Sequence, residues 1–179
     1  LGRIWYEMRK GETRLVGECR YLVRRPYEAF LDEGQAQPEE GDQHEQDYAQ
    51  EVLLKKTMYN AHRTKKDPRD LKILDPACGS GHFLLYTFDL LVSIYDEAWH
   101  DEASPECEIT GKRLRDDYPT LEQLHAALPS LVLALNLYGI DIDPRAAQIA
   151  ALALWMRGQR SFNELGVSRE RRVAIARSN

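Results

Sequence analysis

The chain has 179 residues, 43% of them hydrophobic and 30% charged, with 24 basic and 29 acidic side chains and a formal net charge of -5. That balance fits one soluble domain or a piece of a larger one, and excludes wholesale disorder, collagen-like repeats and a small disulfide scaffold. The longest apolar stretch, Phe83 to Tyr95, is interrupted by Thr87, Asp89 and Ser93, far short of the roughly 18 apolar residues of a bilayer span. Cys19, Cys78 and Cys107 are widely spaced, a pattern expected of reduced, cytoplasmic thiols.

Residues 1–30 carry two apolar patches, Ile4 to Met8 and Tyr21 to Val23, expected as short strands or helix ends. Arg24 and Arg25 could contact phosphate, but on so charged a chain a solvated turn is the expected reading. Residues 33–50 are rich in Gln, Glu and Asp and almost free of large apolar side chains, as in a loop or flexible linker. The run from Glu51 to Asn60 is expected as an amphipathic helix, ending before the basic segment 62–66 and the breaker Asp67-Pro68.

From Leu71 the signals sharpen. Leu71 to Asp75 is a β-like run ending in a carboxylate, and Pro76-Ala77-Cys78-Gly79-Ser80-Gly81 can only be a tight turn. His82 to Trp99, free of Gly and Pro, predicts a buried helix. Residues 101–118 read as a polar insertion. Thr120 and Gln123 form a capping-box pattern for a helix carrying Leu121, Leu124 and Leu128, and Leu131 to Leu135 is expected as a further short helix beyond Pro129. Leu137 to Asp143 reads as a second strand. Pro144 to Arg157 is the clearest helix, with Asp143 as cap and Gly158 as terminator. Arg172 to Ser178 looks like a strand cut short, and the absence of an initiator Met at Leu1 suggests an excerpt from a longer protein.

Two strand–turn–helix units with carboxylates at the strand ends make a half-site of Rossmann type. Gly79 and Gly81 allow the backbone to approach a ligand and turn into the helix, and an acid after the second strand can accept both ribose hydroxyls. Leu84 stands where a dinucleotide loop needs Gly or Ala, and no Gly-Lys-Ser/Thr tripeptide exists, which disfavours both an NAD oxidoreductase and a phosphate-binding Walker loop. Asp75 would repel pyrophosphate but welcome an ammonium group. S-adenosylmethionine has that chemistry.

The segment Asp75-Pro76-Ala77-Cys78-Gly79-Ser80-Gly81-His82-Phe83 resembles the first motif of N6-adenine DNA methyltransferases, and Gly139-Ile140-Asp141-Ile142-Asp143-Pro144 resembles their second. The flanks look closest to large enzymes of restriction–modification and phage-defence systems, including the BREX type. The resemblance implies an α/β chain: a partial Rossmann-like S-adenosylmethionine-dependent methyltransferase fold, a three-layer αβα sandwich truncated before the catalytic motif. Residues 1–179 would form one partial cofactor-binding domain, with 33–50 as linker and 100–136 as an insertion between the motifs. Asp75 would lie near the methionine amino group. The loop from Pro76 through Ala77, Cys78, Gly79, Ser80 and Gly81, with Phe83, would shape the methionine and ribose side. Asp141 would bind the ribose hydroxyls and Ile142 would pack on adenine. Cys78 reads as a packing residue, Asp143 as a cap and His82 as a bystander rather than a base. The scattered histidines imply no metal site.

Two departures stand out. Asp75 and Asp141 lie 66 positions apart, whereas the simple fingerprint places its acid about 20 residues beyond the glycines. The family's Asn/Asp-Pro-Pro-aromatic motif, which grips a flipped base, is absent, since none of the eight prolines are adjacent; no catalytic residue is therefore assigned. The net charge of -5 also suits weak DNA contact by this piece alone. DNA, and other restriction or phage-defence subunits, would be partners of the full-length protein, with no membrane involved. The alternatives are a methyltransferase acting on RNA or protein, or a non-catalytic Rossmann-like module.

Overall fold

The computed structural model describes residues 1–38 and 57–175. The chain divides into two compact units, Gly2–Lys65 and a second beginning at Lys66. In the first, helix α1 (Gly2–Met8) and the single turn α2 (Leu15–Glu18) precede β1 (Glu28–Phe30), which pairs in parallel with β2 (Met58–Asn60). Trp5, Tyr6, Met8, Leu15 and Leu31 are buried, and Tyr6 meets Phe30 edge to face at 5.6 Å. Arg3 joins the helix to both strands, donating to Glu28 at 2.7 Å and to Asn60 at 2.8 Å.

Ile4 to Met8 is thus helical. Tyr21 and Val23 are exposed and belong to no regular element. The helix expected over Glu51–Asn60 is corrected in part: Met58–Asn60 is a strand, while 51–56 lie outside the described residues. A short apolar run has no periodicity to separate helix from strand, and pairing with β1 decides it, with Met58 N–H bonded to Tyr27 and Leu31 N–H to Asn60. Of the expected linker, 33–38 holds a turn and irregular chain, and 39–50 lie outside the described residues.

The second unit opens with a 3-10 turn, Pro68–Asp70, capped by Asp67. Strand β3 (Ile73–Asp75) leads through a tight loop into α3 (His82–His100); α4 (Leu114–Asp117) and α5 (Leu121–Leu131) follow. A π-helical turn (Val132–Asn136) then feeds β4 (Leu137–Gly139), which is succeeded by α6 (Pro144–Glu164). Strands β3 and β4 are parallel, with Asp75 opposite Gly139. Parallel strands need a long crossover, here supplied by α3, α4 and α5. The chain is therefore α/β, with small parallel sheets among helices. Leu84, Phe88, Leu91, Ile94 and Tyr95 of α3, Leu124 and Leu128 of α5, and Leu154 and Phe162 of α6 form the core; all three helices pack on one another.

The capping box forms as expected: Thr120 Oγ1 accepts from Gln123 N–H and Gln123 Oε1 accepts from Thr120 N–H, both at 3.2 Å. Three expectations are corrected. Pro129 does not separate two helices; it is buried inside α5. Burial of Leu124, Ala127 and Leu128 alongside it outweighs the lost N–H bond, and the helix widens into the π turn just beyond. Gly158 does not end α6, which continues to Glu164. It is a close-packing position, since a Cβ there would lie 2.8 Å from Ile175 Cδ1 and 3.1 Å from Leu133 Cδ1. The stop is Gly166 at φ +70°, with Val167 N–H bonded to Phe162 O and Gly166 N–H to Asn163 O, a Schellman motif. Finally, residues 172–175 form no strand; Val173 N–H instead bonds Ala126 O, while 176–179 lie outside the described residues. Among the described residues no helix is long and apolar enough to cross a membrane.

Candidate functional site

The parallel pairing of β3 and β4 brings the two sequence motifs side by side at the strands' C-terminal ends. Ile140 N–H bonds Asp75 O and Cys78 N–H bonds Ile140 O, both at 2.9 Å, so the ladder runs past the last strand residue into the loop. Asp75 Oδ1 accepts from Ala77 N–H at 3.2 Å, closing the first turn. Gly81 caps α3 at φ +86°, and a Cβ there would lie 3.2 Å from the Ala150 Cα. Glycine is therefore required at 81 by conformation and by the close approach of α6. Gly79, at φ +52°, has nothing within 4 Å of the position a Cβ would take. Its surroundings are open.

Asp141 stands beside this loop. Its Oδ2 accepts from Gly79 N–H at 2.7 Å and its Oδ1 from Asp143 N–H at 2.9 Å. These donors, Asp143 first and Gly79 next, with the Ile142 amide adding to them, hold its carboxyl below the ordinary aspartate range. Each carboxylate oxygen has a second lone pair, so the group can still accept two hydroxyl donors. Ile142 is fully exposed, and Phe83 and Ile140 are more than half exposed, giving apolar surface around an acidic, glycine-lined edge. Pro76, Ala77 and Ser80 are exposed on the loop.

Cys78 is buried; burial, then the charges of Asp141 and Asp75, pushes its thiol pKa up, opposite to what a nucleophile needs. His82 is exposed, its Nδ1 2.9 Å from Ser80 Oγ. Asp143 caps α6 through Arg145 N–H at 2.9 Å. A cavity of about 40 Å³ beneath the loop, lined by Cys78, Leu84, Gly139, Ala147 and Ala150, is packing space too small for an adenosyl group. Asp67, Asp70 and Cys107 bring possible metal ligands together. Asp67, however, is held by Arg69 at 2.8 Å, while Asp70 accepts from Cys107 Sγ and Glu108 N–H.

A family profile described as "MmeI, DNA-methyltransferase domain" matches residues 49–174. The chain belongs to this family. Among curated relatives of the domain, the adenine-specific methyltransferase BrxX of Escherichia coli O9:H4 (strain HS) is 38% identical over 90 residues, 50% of this chain and 6% of BrxX. A type II restriction enzyme and methyltransferase of Methanocaldococcus jannaschii, itself named as putative, is 36% identical over 86 residues, 48% of this chain and 6% of that protein. The adenine-specific methyltransferase PglX of Lacticaseibacillus casei (strain Zhang) is 29% identical over 100 residues, 56% of this chain and 6% of PglX. The chain thus spans a small fraction of the length of these relatives.

Within the MmeI-type domain, the packing roles of two residues escaped the sequence reading. Gly139 ends β4 where a Cβ would lie 2.9 Å from Leu84 Cδ1 and 3.2 Å from Cys78 Sγ; the signal available was a glycine directly before the acidic motif. Ala150 receives the Gly81 turn, and one alanine among several in α6 gives no such signal.

Proposed function

We propose that this chain is the cofactor-binding part of an S-adenosylmethionine-dependent DNA methyltransferase that modifies N6 of adenine in restriction–modification or phage defence. The observation that carries the reading is the meeting of the Gly79 loop and the Asp141 carboxylate at the C-terminal ends of adjacent parallel strands, where open α/β sheets take their ligands. The residues fit S-adenosylmethionine: Gly79 leaves room over the loop, Asp141 retains acceptor capacity, and Phe83 and Ile142 offer apolar surface. Asp75, Pro76, Ala77, Cys78, Gly79, Ser80 and Gly81 would bound the methionine side, Asp141 would hold the ribose and Ile142 the adenine. The cofactor supplies a methyl group on a sulfonium sulfur. These residues would bind and orient it, contributing position rather than covalent chemistry.

On this reading residues 1–179 belong to one partial methyltransferase domain of three-layer αβα form, with 33–50 as linker and 100–136 as the insertion between its motifs. DNA, and other subunits of a defence system, would be partners of the full-length protein. The three free, buried cysteines support a reducing, cytoplasmic setting.

Calorimetric titration with S-adenosylhomocysteine and, separately, NAD tests the reading. Binding of the former, weakened about tenfold or more in Asp141→Ala, is expected; binding of NAD alone would overturn the cofactor assignment.

A further inference from the structure

Three hydrogen bonds fasten the end of β3 and the loop after it to the chain after β4. Two are main-chain bonds that extend the ladder, Ile140 N–H to Asp75 O and Cys78 N–H to Ile140 O. The third uses a side chain: Gly79 N–H donates to Asp141 Oδ2 at 2.7 Å, while Oδ1 is held by Asp143 N–H. One carboxylate therefore cross-links both loops. Gly81 is fixed by packing against Ala150, but Gly79 sits in a left-handed conformation with no atom within 4 Å of its Cβ position. No neighbour packs over the Cβ position of Gly79 as Ala150 does at Gly81, and its N–H is bonded to the Asp141 carboxylate.

We propose that Asp141 is a positioning residue for the glycine loop, fixing Gly79 before any ligand arrives, in addition to contacting a ribose. A ligand then meets a loop whose ordering cost has already been met in the folded chain. The loop role stands on geometry alone; its effect on an adenosyl ligand rests on the reading of the preceding subsection.

The test compares the unliganded chain with Asp141→Ala and Asp141→Asn by nitrogen-15 NMR, following solvent exchange at the Gly79 amide against Leu124, whose N–H bonds Thr120 O inside its helix. Exchange at Gly79 about fivefold faster or more in Asp141→Ala, with Leu124 unchanged, is expected from the loss of one charge-assisted bond. Asp141→Asn, which keeps one carbonyl acceptor, should fall between, and it decides the matter should Asp141→Ala also loosen Leu124. Unchanged exchange at Gly79 overturns the proposal.

A second arm uses the 2′,3′-dideoxy analogue of S-adenosylhomocysteine, which offers Asp141 no ribose hydroxyls. Weaker binding to Asp141→Ala than to the parent chain, by about fivefold, supports the loop role; equal binding overturns it. Absence of binding by every adenosyl ligand, with the Gly79 response intact, would overturn the cofactor reading while leaving the positioning role standing.

Discussion

At the residue scale, Asp141 concentrates the site's electrostatics. Its carboxyl is held low by the Asp143 and Gly79 amides, with Asp75 and Asp143 as neighbouring acids and Cys78 neutral nearby. Its unfolded pKa is about 3.9. Because the folded value lies lower, the stabilisation is complete above the unfolded pKa and fades as pH falls through the folded one. A carboxyl carbon-13 titration should therefore place Asp141 below its unfolded value; a midpoint at or above that value would mean the amides do not favour the ionised form. Gly81→Ala combines a positive φ with a 3.2 Å approach to the Ala150 Cα. It should cost about 1–3 kcal/mol, read as a lowered thermal midpoint, and a neutral result would show that the α3–α6 approach can relax.

At the element scale, caps and stops define the helices. The reciprocal Thr120–Gln123 bonds satisfy two otherwise unpaired N–H groups. Thr120→Ala should cost about 1 kcal/mol in urea unfolding, with the m-value unchanged. These caps were legible in the sequence because they depend on residues three apart. The continuation of α5 through Pro129 and of α6 through Gly158 was not. Both residues break isolated helices, but here one is buried beside Leu128 and the other against Leu133 and Ile175. Contacts distant in the chain override the local preference.

At the scale of the second unit, a buried polar network ties its beginning to its middle. Asn136, fully buried, donates to Pro68 O and Leu71 O, both at 2.7 Å, and accepts from Tyr95 OH at 3.0 Å. It stands one residue before β4 and so anchors that strand to the segment entering β3. Arg69 is buried with Asp67 and also bonds the half-buried Asp117; burial alone would lower the guanidinium pKa, but bonds to these acids raise it. Asn136→Leu removes the Asn136 partner of the Leu71 carbonyl and of the Tyr95 hydroxyl, and leaves Pro68 O with the Leu71 N–H; it should cost about 2–3 kcal/mol. Arg69→Met strands the buried Asp67 and should cost about 3–5 kcal/mol. Denaturant unfolding measures both, and a loss under about 1 kcal/mol for Arg69→Met would mean that water reaches Asp67.

By itself the sequence determined what is local: the strand–turn–helix around Asp75 to Gly81, the acidic turn at Asp141, the caps at Thr120 and Asp143, and the resemblance those residues carry. Each follows from sterics or hydrogen bonds within a few positions. Only the tertiary structure decided which segments meet across long separations. It paired Met58–Asn60 with Glu28–Phe30, carried two helices through their breakers, and drew Gly139 and Ala150 against the glycine loop. The register of β3 on β4 set Asp141 against Gly79, 62 positions apart. Such contacts are fixed by the shared burial of residues that no local pattern relates.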